Sequence, residues 1–127
     1  MSANPPTTGQ LERSLAQSIR RLYRTQLGHN PSRVICQLTG KHLTICIEGS
    51  VTTVEKLLIA DNQSQVAAQV RTDLESAFLP RLQALIEDQL GVGVVDLVSS
   101  SMKNTNSTGL FAVLDQCPSM RMAPQAS

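Results

Sequence analysis

Aromatic side chains are almost absent from this chain. Its 127 residues include no Trp, one Tyr and two Phe. Proteins that bind single-stranded nucleic acids stack successive bases on aromatic side chains, and here only Tyr23 is available for stacking. A net charge of +1 gives no general attraction to a polyanion. The composition therefore argues against a typical nucleic-acid-binding module.

The chain also lacks the apolar run, about 18 residues or longer, that a membrane-spanning helix requires. Residues 1–9 are polar and contain proline, so they lack the apolar centre of a secretory signal. Cys36, Cys46 and Cys117 are an odd number and form no C-x-x-C pair. Reduced thiols are typical of a reducing compartment, so we expect a cytoplasmic protein without a membrane span.

Sequence patterns of catalytic and metal sites are missing as well. The sequence contains neither G-x-S-x-G nor S-x-x-K. His29 and His42 both fall in predicted turns, without acidic or cysteine neighbours at the spacing that zinc requires. Residues 91–93 (G-V-G) precede a predicted strand, whereas a dinucleotide fingerprint opens a helix. We therefore predict no catalytic residues, no metal and no cofactor, and a protein that is not an enzyme.

Apolar residues recur with helical or alternating spacing along most of the chain, and 41% apolar content suits one globular domain. The predicted order is a helix (10–27), two strands (33–38 and 43–48), two helices (52–60 and 64–90) and two strands (94–98 and 110–114). This order predicts an α+β, two-layer fold, α-β-β-α-α-β-β, with a mainly antiparallel four-stranded sheet and the helices packed on one face. Residues 10–116 form the predicted domain, and we expect disorder over residues 1–9 and 117–127.

The longest predicted helix contains Pro80. A proline inside a helix removes one backbone hydrogen bond and clashes with the preceding turn, at a cost of roughly 3 kcal/mol. We therefore expect a kink at Pro80, with the apolar stretches on both sides held by packing on the strands. Before the proline, the predicted apolar stripe consists of Val66, Val70, Leu74 and Phe78.

The first two strands form a predicted hairpin with Leu38 opposite Leu43. In this register Cys36 and Cys46 lie on opposite faces of the sheet, which argues against a disulfide between them. Ile35 projects from the less apolar face. A single sheet exposes two edges and one face, and pairing with another copy is a common way to cover them. We therefore predict a homodimer.

Four segments resemble a known family. Residues 48–56 (E-G-S-V-T-T-V-E-K) are similar to an E-G-x-L-T-P-x-E-K signature of a small bacterial family, the MpsC-like component of a sodium-translocating, membrane-potential-generating system. Residues 28–31 (G-H-N-P) resemble its G-K-G-P turn, and residues 79–82 (L-P-R-L) stand where the family has R-P-E-L. Gly91, followed three residues later by Val94 and then Val95, fits the T-G-x-x-V exit of its helix. The resemblance covers residues 11–116 and implies an accessory protein of a transport or bioenergetic system.

The signature segment contains the residues with the most chemistry. Thr52 and Glu55 have capping-box spacing, in which each side chain bonds the backbone amide of the other residue. A carboxylate beside Lys56 at a strand–helix junction also has the chemistry to bind an anion or move a proton. We interpret the junction as chiefly structural, because capping accounts for Glu55; its residues are Glu48, Gly49, Thr52, Glu55 and Lys56.

The first helix presents a basic surface opposite its apolar face, formed by Arg13, Arg20, Arg21 and Arg24. We expect these arginines to bind the acidic surface of a membrane-associated partner complex. An alternative is a KH-like nucleic-acid-binding module that uses the same stripe. KH domains clamp the nucleic-acid backbone with a G-x-x-G loop, and residues 60–63 (A-D-N-Q) lack glycine at that turn. The predicted function is thus a non-catalytic, homodimeric interaction or regulatory module.

Overall fold

The computed structural model describes residues 5–120. Its elements are α1 (Thr8–Leu27), β1 (Arg33–Thr39), β2 (His42–Glu48), α2 (Thr53–Ala60), α3 (Ser64–Leu90), β3 (Val94–Met102) and β4 (Ser107–Leu114). Every strand pair is antiparallel, and the strand order in the sheet is β1-β2-β4-β3. These observations confirm the predicted α+β class and element order.

The hairpin of β1 and β2 has the predicted register, with Leu38 opposite Leu43 and Cys36 opposite Ile45. Cys46 lies opposite Ile35 on the other face of the sheet, and the cysteines are free thiols. Successive side chains of a strand point to opposite faces of the sheet. One face, called the inner face here, therefore carries Cys36, Leu38, Leu43 and Ile45.

The core lies between that inner face and helices α1 and α3. Strands β1, β2 and β4 contribute buried residues to this core. The buried apolar residues of the two central strands, β2 and β4, are Leu43, Ile45, Ile47, Leu110, Ala112 and Leu114. Burying one such aliphatic side chain stabilises the fold by about 2 kcal/mol. The opposite face carries no helix among the described elements and remains partly exposed, at Phe111 and Val98 for example.

Helix α1 begins at Thr8, two residues before the predicted start. Thr7 is the reason: its side chain accepts from the Gln10 amide at 3.2 Å, and Gln10 bonds back to the Thr7 amide at 2.8 Å. This capping box satisfies two otherwise unpaired amides of the first turn. The buried stripe consists of Leu11, Leu15, Ile19 and Tyr23.

Helix α3 continues through Pro80 without a break. Phe78, Leu82 and Ile86 surround the proline and are buried, so packing offsets the lost hydrogen bond. The stripe predicted before the proline is wrong at its start, because Val66 is 46% exposed while Ala67 is buried. At the start of α3 the buried face therefore contains Ala67 in place of Val66. Arg71 lies on this face between Ala67 and Phe78.

The folded part extends past both predicted domain boundaries. Residues 7–9 belong to the cap and first turn of α1. At the other end Pro118 is buried, and the Thr8 hydroxyl lies 2.8 Å from the Met120 sulfur, which packs against the core. Residues 1–4 and 121–127 lie outside the described residues, so disorder there stays a prediction.

Candidate functional site

The turn that follows β2 is built around Gly49. Its φ of +70° is in the left-handed region, and a Cβ there would lie 2.7 Å from the Ser32 hydroxyl oxygen and 3.0 Å from the Ser32 nitrogen. Both conditions restrict the position to glycine. The His29 ring nitrogen Nε2 donates to the Gly49 carbonyl oxygen at 2.6 Å. The turn before β1 and the turn after β2 are thereby held together.

Asn106, in the turn between β3 and β4, holds the other side of this segment. Its carbonyl oxygen accepts from the Gly49 amide at 2.8 Å and from the Ser50 amide at 3.3 Å. Its side-chain oxygen accepts from the Val51 amide at 2.9 Å. Three successive amides between β2 and α2 therefore have one residue as their common partner.

The predicted capping box at the start of α2 is confirmed. The Glu55 amide donates to the Thr52 hydroxyl at 3.3 Å, and the Thr52 amide donates to Glu55 Oε1 at 3.1 Å. The Thr52 hydroxyl also donates to Oε1, at 2.9 Å. Glu55 is nevertheless buried, which a capping box alone does not require.

Arg71 on α3 explains the burial of Glu55. Its Nε and Nη2 donate to Glu55 Oε2 and Oε1, each at 2.8 Å, which makes a two-bond fork. Nη2 also donates to the Ser50 carbonyl oxygen at 2.9 Å. The two side chains are 14% and 5% exposed. Charge-assisted, bidentate bonds of this kind are among the strongest in proteins, and breaking a buried pair is costly because one charge remains unpaired.

Polar groups from the sheet complete the cluster beneath the ion pair. The Thr108 hydroxyl donates to the Ser50 hydroxyl at 2.8 Å, and both side chains are buried. Tyr23 is buried beside Arg71, in edge contact with Phe78 at a ring separation of 4.8 Å. Burial raises the pKa of Tyr23, and the neighbouring Arg71 guanidinium partly opposes that rise.

These contacts engage both oxygens of the Glu55 carboxylate. Oε1 accepts three hydrogen bonds and Oε2 accepts one, all from Thr52 and Arg71. A general base must reach the proton that it removes, whereas this carboxylate is buried and bonded to an arginine. The arrangement joins α2, α3, β2 and the β3–β4 turn, so it has the properties of a structural centre. Among residues 5–120 no three His, Cys, Asp or Glu side chains are grouped as metal ligands would be.

The structure brings together only part of the predicted junction. Gly49, Thr52 and Glu55 belong to the cluster, whereas Glu48 ends β2 opposite Arg33 in the sheet register. Lys56 is exposed on α2.

Sequence reasoning missed Arg71, Ser50, Asn106 and Thr108 as members of the cluster. The available signal in the sequence was Arg71 itself, because its spacing from Ala67 and Phe78 places all three on one side of a helix.

The predicted partner-binding arginines are all exposed on α1. Arg20 has a structural contact as well, since its Nη2 donates to the Ser32 carbonyl oxygen at 3.2 Å. The others form no ion pair among the described residues, where the single salt bridge is the one between Arg71 and Glu55. These arginines are exposed, whereas Glu55 and Arg71 are largely buried, so the molecule has two candidate sites, a buried cluster and a basic surface.

The comparison with protein families identifies the chain. A family model described as "MpsC: Na+-translocating membrane potential-generating system" matches residues 7–116. The chain belongs to the MpsC family. The resemblance inferred from four short segments is thus confirmed, and the match includes all seven elements and the Glu55–Arg71 cluster. A comparison with curated proteins found no match, and neither did one with solved structures.

The description of the MpsC family associates it with a system that generates a membrane potential. In this member, none of the helices in residues 5–120 combines the length and the hydropathy that crossing a bilayer requires.

Proposed function

We propose that this MpsC protein is a non-catalytic, homodimeric interaction or regulatory module of the cytoplasm. It serves as an accessory to a membrane-associated ion-transport or energy-transducing complex. The family description supports the context. The observation that carries the proposal is the apolar open face of the sheet.

This open face has apolar side chains at its centre. Phe111 on β4 is 42% exposed and lies opposite Val98 on β3, which is 63% exposed. Ile35 and Cys46 form a partly exposed cross-strand pair on the neighbouring strands. The His42 ring stacks on Phe111 at 5.7 Å. Exposed apolar side chains on an uncovered sheet face are typical of an interaction site.

A second copy is the simplest partner for this surface. In a two-fold dimer the same patch meets itself, so no second complementary surface is needed. Two twisted sheets pack face to face with an intersheet distance of about 10 Å and interdigitated side chains. Gln37 and Asp96 stand at the margin of the face and are exposed, which matches the polar rim that surrounds an apolar interface centre.

Sedimentation of the Phe111→Asp variant tests the dimer. We expect the wild-type protein to self-associate at tens of micromolar, on the order of ordinary homodimer affinities, and we expect a charge at the interface centre to abolish the face contact. Leu57→Asp is the matched control, because Leu57 is a large apolar side chain, 68% exposed, on helix α2. Equal self-association of both variants and the wild type would refute the open-face dimer.

The basic surface of α1 is the proposed contact with an acidic partner. Arg13, Arg21 and Arg24 are exposed, and replacing them reverses three charges without touching the core. We expect Arg13→Glu/Arg21→Glu/Arg24→Glu to lose membrane complexes that co-purify with the wild type from the native source. Arg81→Glu, an exposed arginine on α3, is the single-charge control. Retained co-purification by the triple variant would clear this surface of a role.

Nucleic-acid binding through the same arginines is an outcome of the same experiment. Phosphate contacts alone weaken steeply as the salt concentration rises to about 200 mM. A gel shift with mixed RNA that survives this salt concentration, and that the triple variant loses, would favour the KH-like alternative over the acidic partner.

A further inference from the structure

One residue in the middle of the open face lacks a side chain although the fold would accept one. Gly109 lies within β4, and the register is regular around it, with Cys46 on β2 and Ser100 on β3 as its cross-strand partners. Its φ is outside the left-handed region. Among the described residues, a Cβ at this position would have one atom within 4 Å, the terminal methyl of Met102 at 3.4 Å. Neither the backbone nor the packing of the single copy therefore requires glycine here.

Glycine inside a strand weakens the strand, and it often marks a place where another molecule approaches closely. On the open face Gly109 leaves a depression the size of one side chain. Phe111 is two residues further along β4, so it projects from the same face, and it is 42% exposed. The His42 ring stacks on Phe111 and supports it. A projecting ring and a gap are thus neighbours on one strand.

We propose that two copies pack their open faces antiparallel, so that Phe111 of each copy fills the depression at Gly109 of the other. This inference rests on the open-face dimer of the proposed function and adds its geometry. The two-fold axis lies in the plane of the interface, perpendicular to β4, and passes over Leu110, the residue between the ring and the gap. Because the contact is isologous, it forms twice.

The neighbouring strand supports the same axis. Leu110 lies opposite Ile45 on β2, so the axis also passes over Ile45. His42 and Glu48 stand three residues before and after Ile45, and both side chains belong to the open face. The axis therefore brings Glu48 of one copy opposite His42 of the other, again twice. A carboxylate and an imidazole N–H are complementary acceptor and donor, and β2 is a central strand of the sheet.

The other two-fold arrangement of the open faces fits less well. With the axis parallel to β4, Phe111 meets Phe111 and Gly109 meets Gly109. Two rings then separate the sheets where two depressions face each other, and a void remains. Protein interfaces pack as densely as protein interiors, so ring into gap is the better arrangement. Twisted sheets pack in this way at a distance of about 10 Å.

Filling the depression tests the proposed contact. We expect Gly109→Val to raise the dissociation constant, measured by sedimentation equilibrium, at least about tenfold, because the added methyl groups occupy the space of the ring. The urea midpoint should not fall, since valine favours strands. Ser100→Val is the matched control: it adds a similar side chain to the same face, one strand away, and should not raise the constant. Equal weakening by both variants, or none by Gly109→Val, would overturn the inference.

Cross-linking tests the direction of the axis without altering the ring or the gap. The background is Cys46→Ser/Cys117→Ser, in which Cys36 is buried. In this background, His42→Cys/Glu48→Cys is treated with a bis-maleimide that spans about 10 Å, the distance between packed sheets. The two positions are about 20 Å apart along β2, so the reagent cannot join them within one chain. We expect covalent dimers from the double variant and far fewer from either single variant.

The possible results separate this inference from the proposed function. Covalent dimers from His42→Cys alone would place the axis parallel to the strands and overturn the antiparallel packing, while the open-face dimer would stand. The same holds if Phe111→Asp dissociates the dimer and Gly109→Val leaves it unchanged. A wild type that is monomeric at tens of micromolar, on the order of weak dimer affinities, overturns both.

Discussion

The two halves of helix α3 are held to the protein in different ways. After Phe78 the helix buries Leu82, Ile86 and Leu90 against the sheet and α1. Before Phe78 it is mostly exposed, and the side chain that fixes it most firmly is Arg71, through Glu55 and the Ser50 carbonyl oxygen. One helix therefore combines an apolar attachment and a polar one.

The difference indicates which half can serve as a surface. Apolar burial is non-directional and tolerates small adjustments, whereas a buried fork requires its partners at fixed positions. The polar attachment joins α2 to the first half of α3, and a groove of about 660 Å³ lies between these helices and residues 99–103. The apolar half supplies stability, and the polar half supplies one wall of the groove.

The largest expected effect comes from the apolar half. Leu82→Ala removes a fully buried side chain and leaves a cavity, so we expect the free energy of unfolding to fall by about 4 kcal/mol. Val66→Ala, an exposed position in the other half of the helix, should change it by less than about 0.5 kcal/mol. Urea denaturation of both variants measures the contrast. A similar fall in the free energy of unfolding for the two variants would contradict the division of α3 into an apolar half and a polar half.

A somewhat smaller loss is expected from the polar half. Arg71→Met leaves the buried carboxylate of Glu55 without its partner, and we expect a loss of roughly 3 kcal/mol. Glu55→Leu/Arg71→Met removes both charges and should recover a large part of that loss, because no unpaired charge remains. If the double variant is less stable than the single one, the ion pair is not the source of the stability. Hydrogen exchange should show that the single variant loosens α2 before the core.

The smallest effect concerns the core at alkaline pH. Burial, and secondarily the carboxylate of Glu12, raises the pKa of Cys36 from 9.0 to about 12. The folded state thus retains a proton that the unfolded state releases. The contribution of this thiol is fully present below pH 9 and is lost as the pH rises towards 12.

We expect a loss on the order of 1 kcal/mol by about pH 10 from this group alone. Urea denaturation at several pH values measures it, with Cys36→Ala as the variant in which the corresponding slope should disappear. Cys117 is exposed, so Cys117→Ala is the matched control and should keep the slope. If Cys36→Ala keeps the slope and Cys117→Ala loses it, Cys36 is accessible to solvent in the folded protein.

Most of the fold followed from periodicity. The hairpin register was predictable because its apolar residues alternate strictly, and shifting Leu38 by one place would expose the whole inner row. The capping box of Thr52 and Glu55 was predictable because its two residues lie three apart in sequence. Signals of this kind are local, so one sequence is enough to read them.

The parts that were missed depend on long-range contacts. Val66 and Val70 suggested a stripe that Arg71 and Ala67 displace, because the ion pair with Glu55 determines which side of α3 faces inward. Helix α2 also departs from simple apolar burial: Glu55 is its buried residue, while Leu57 is 68% exposed. Apolar residues alone do not predict such a helix.

The sequence by itself determined the elements, their order, the hairpin register and the membership of the MpsC family, because hydrophobic spacing, caps and short signatures are written in neighbouring residues. Only the tertiary structure decided that Arg71 meets Glu55 and that Glu12 on α1 accepts from the Leu38 amide of the edge strand β1. These features join residues that are far apart in the chain. Their energies depend on burial and on distances between side chains, and both exist only after the layers have packed.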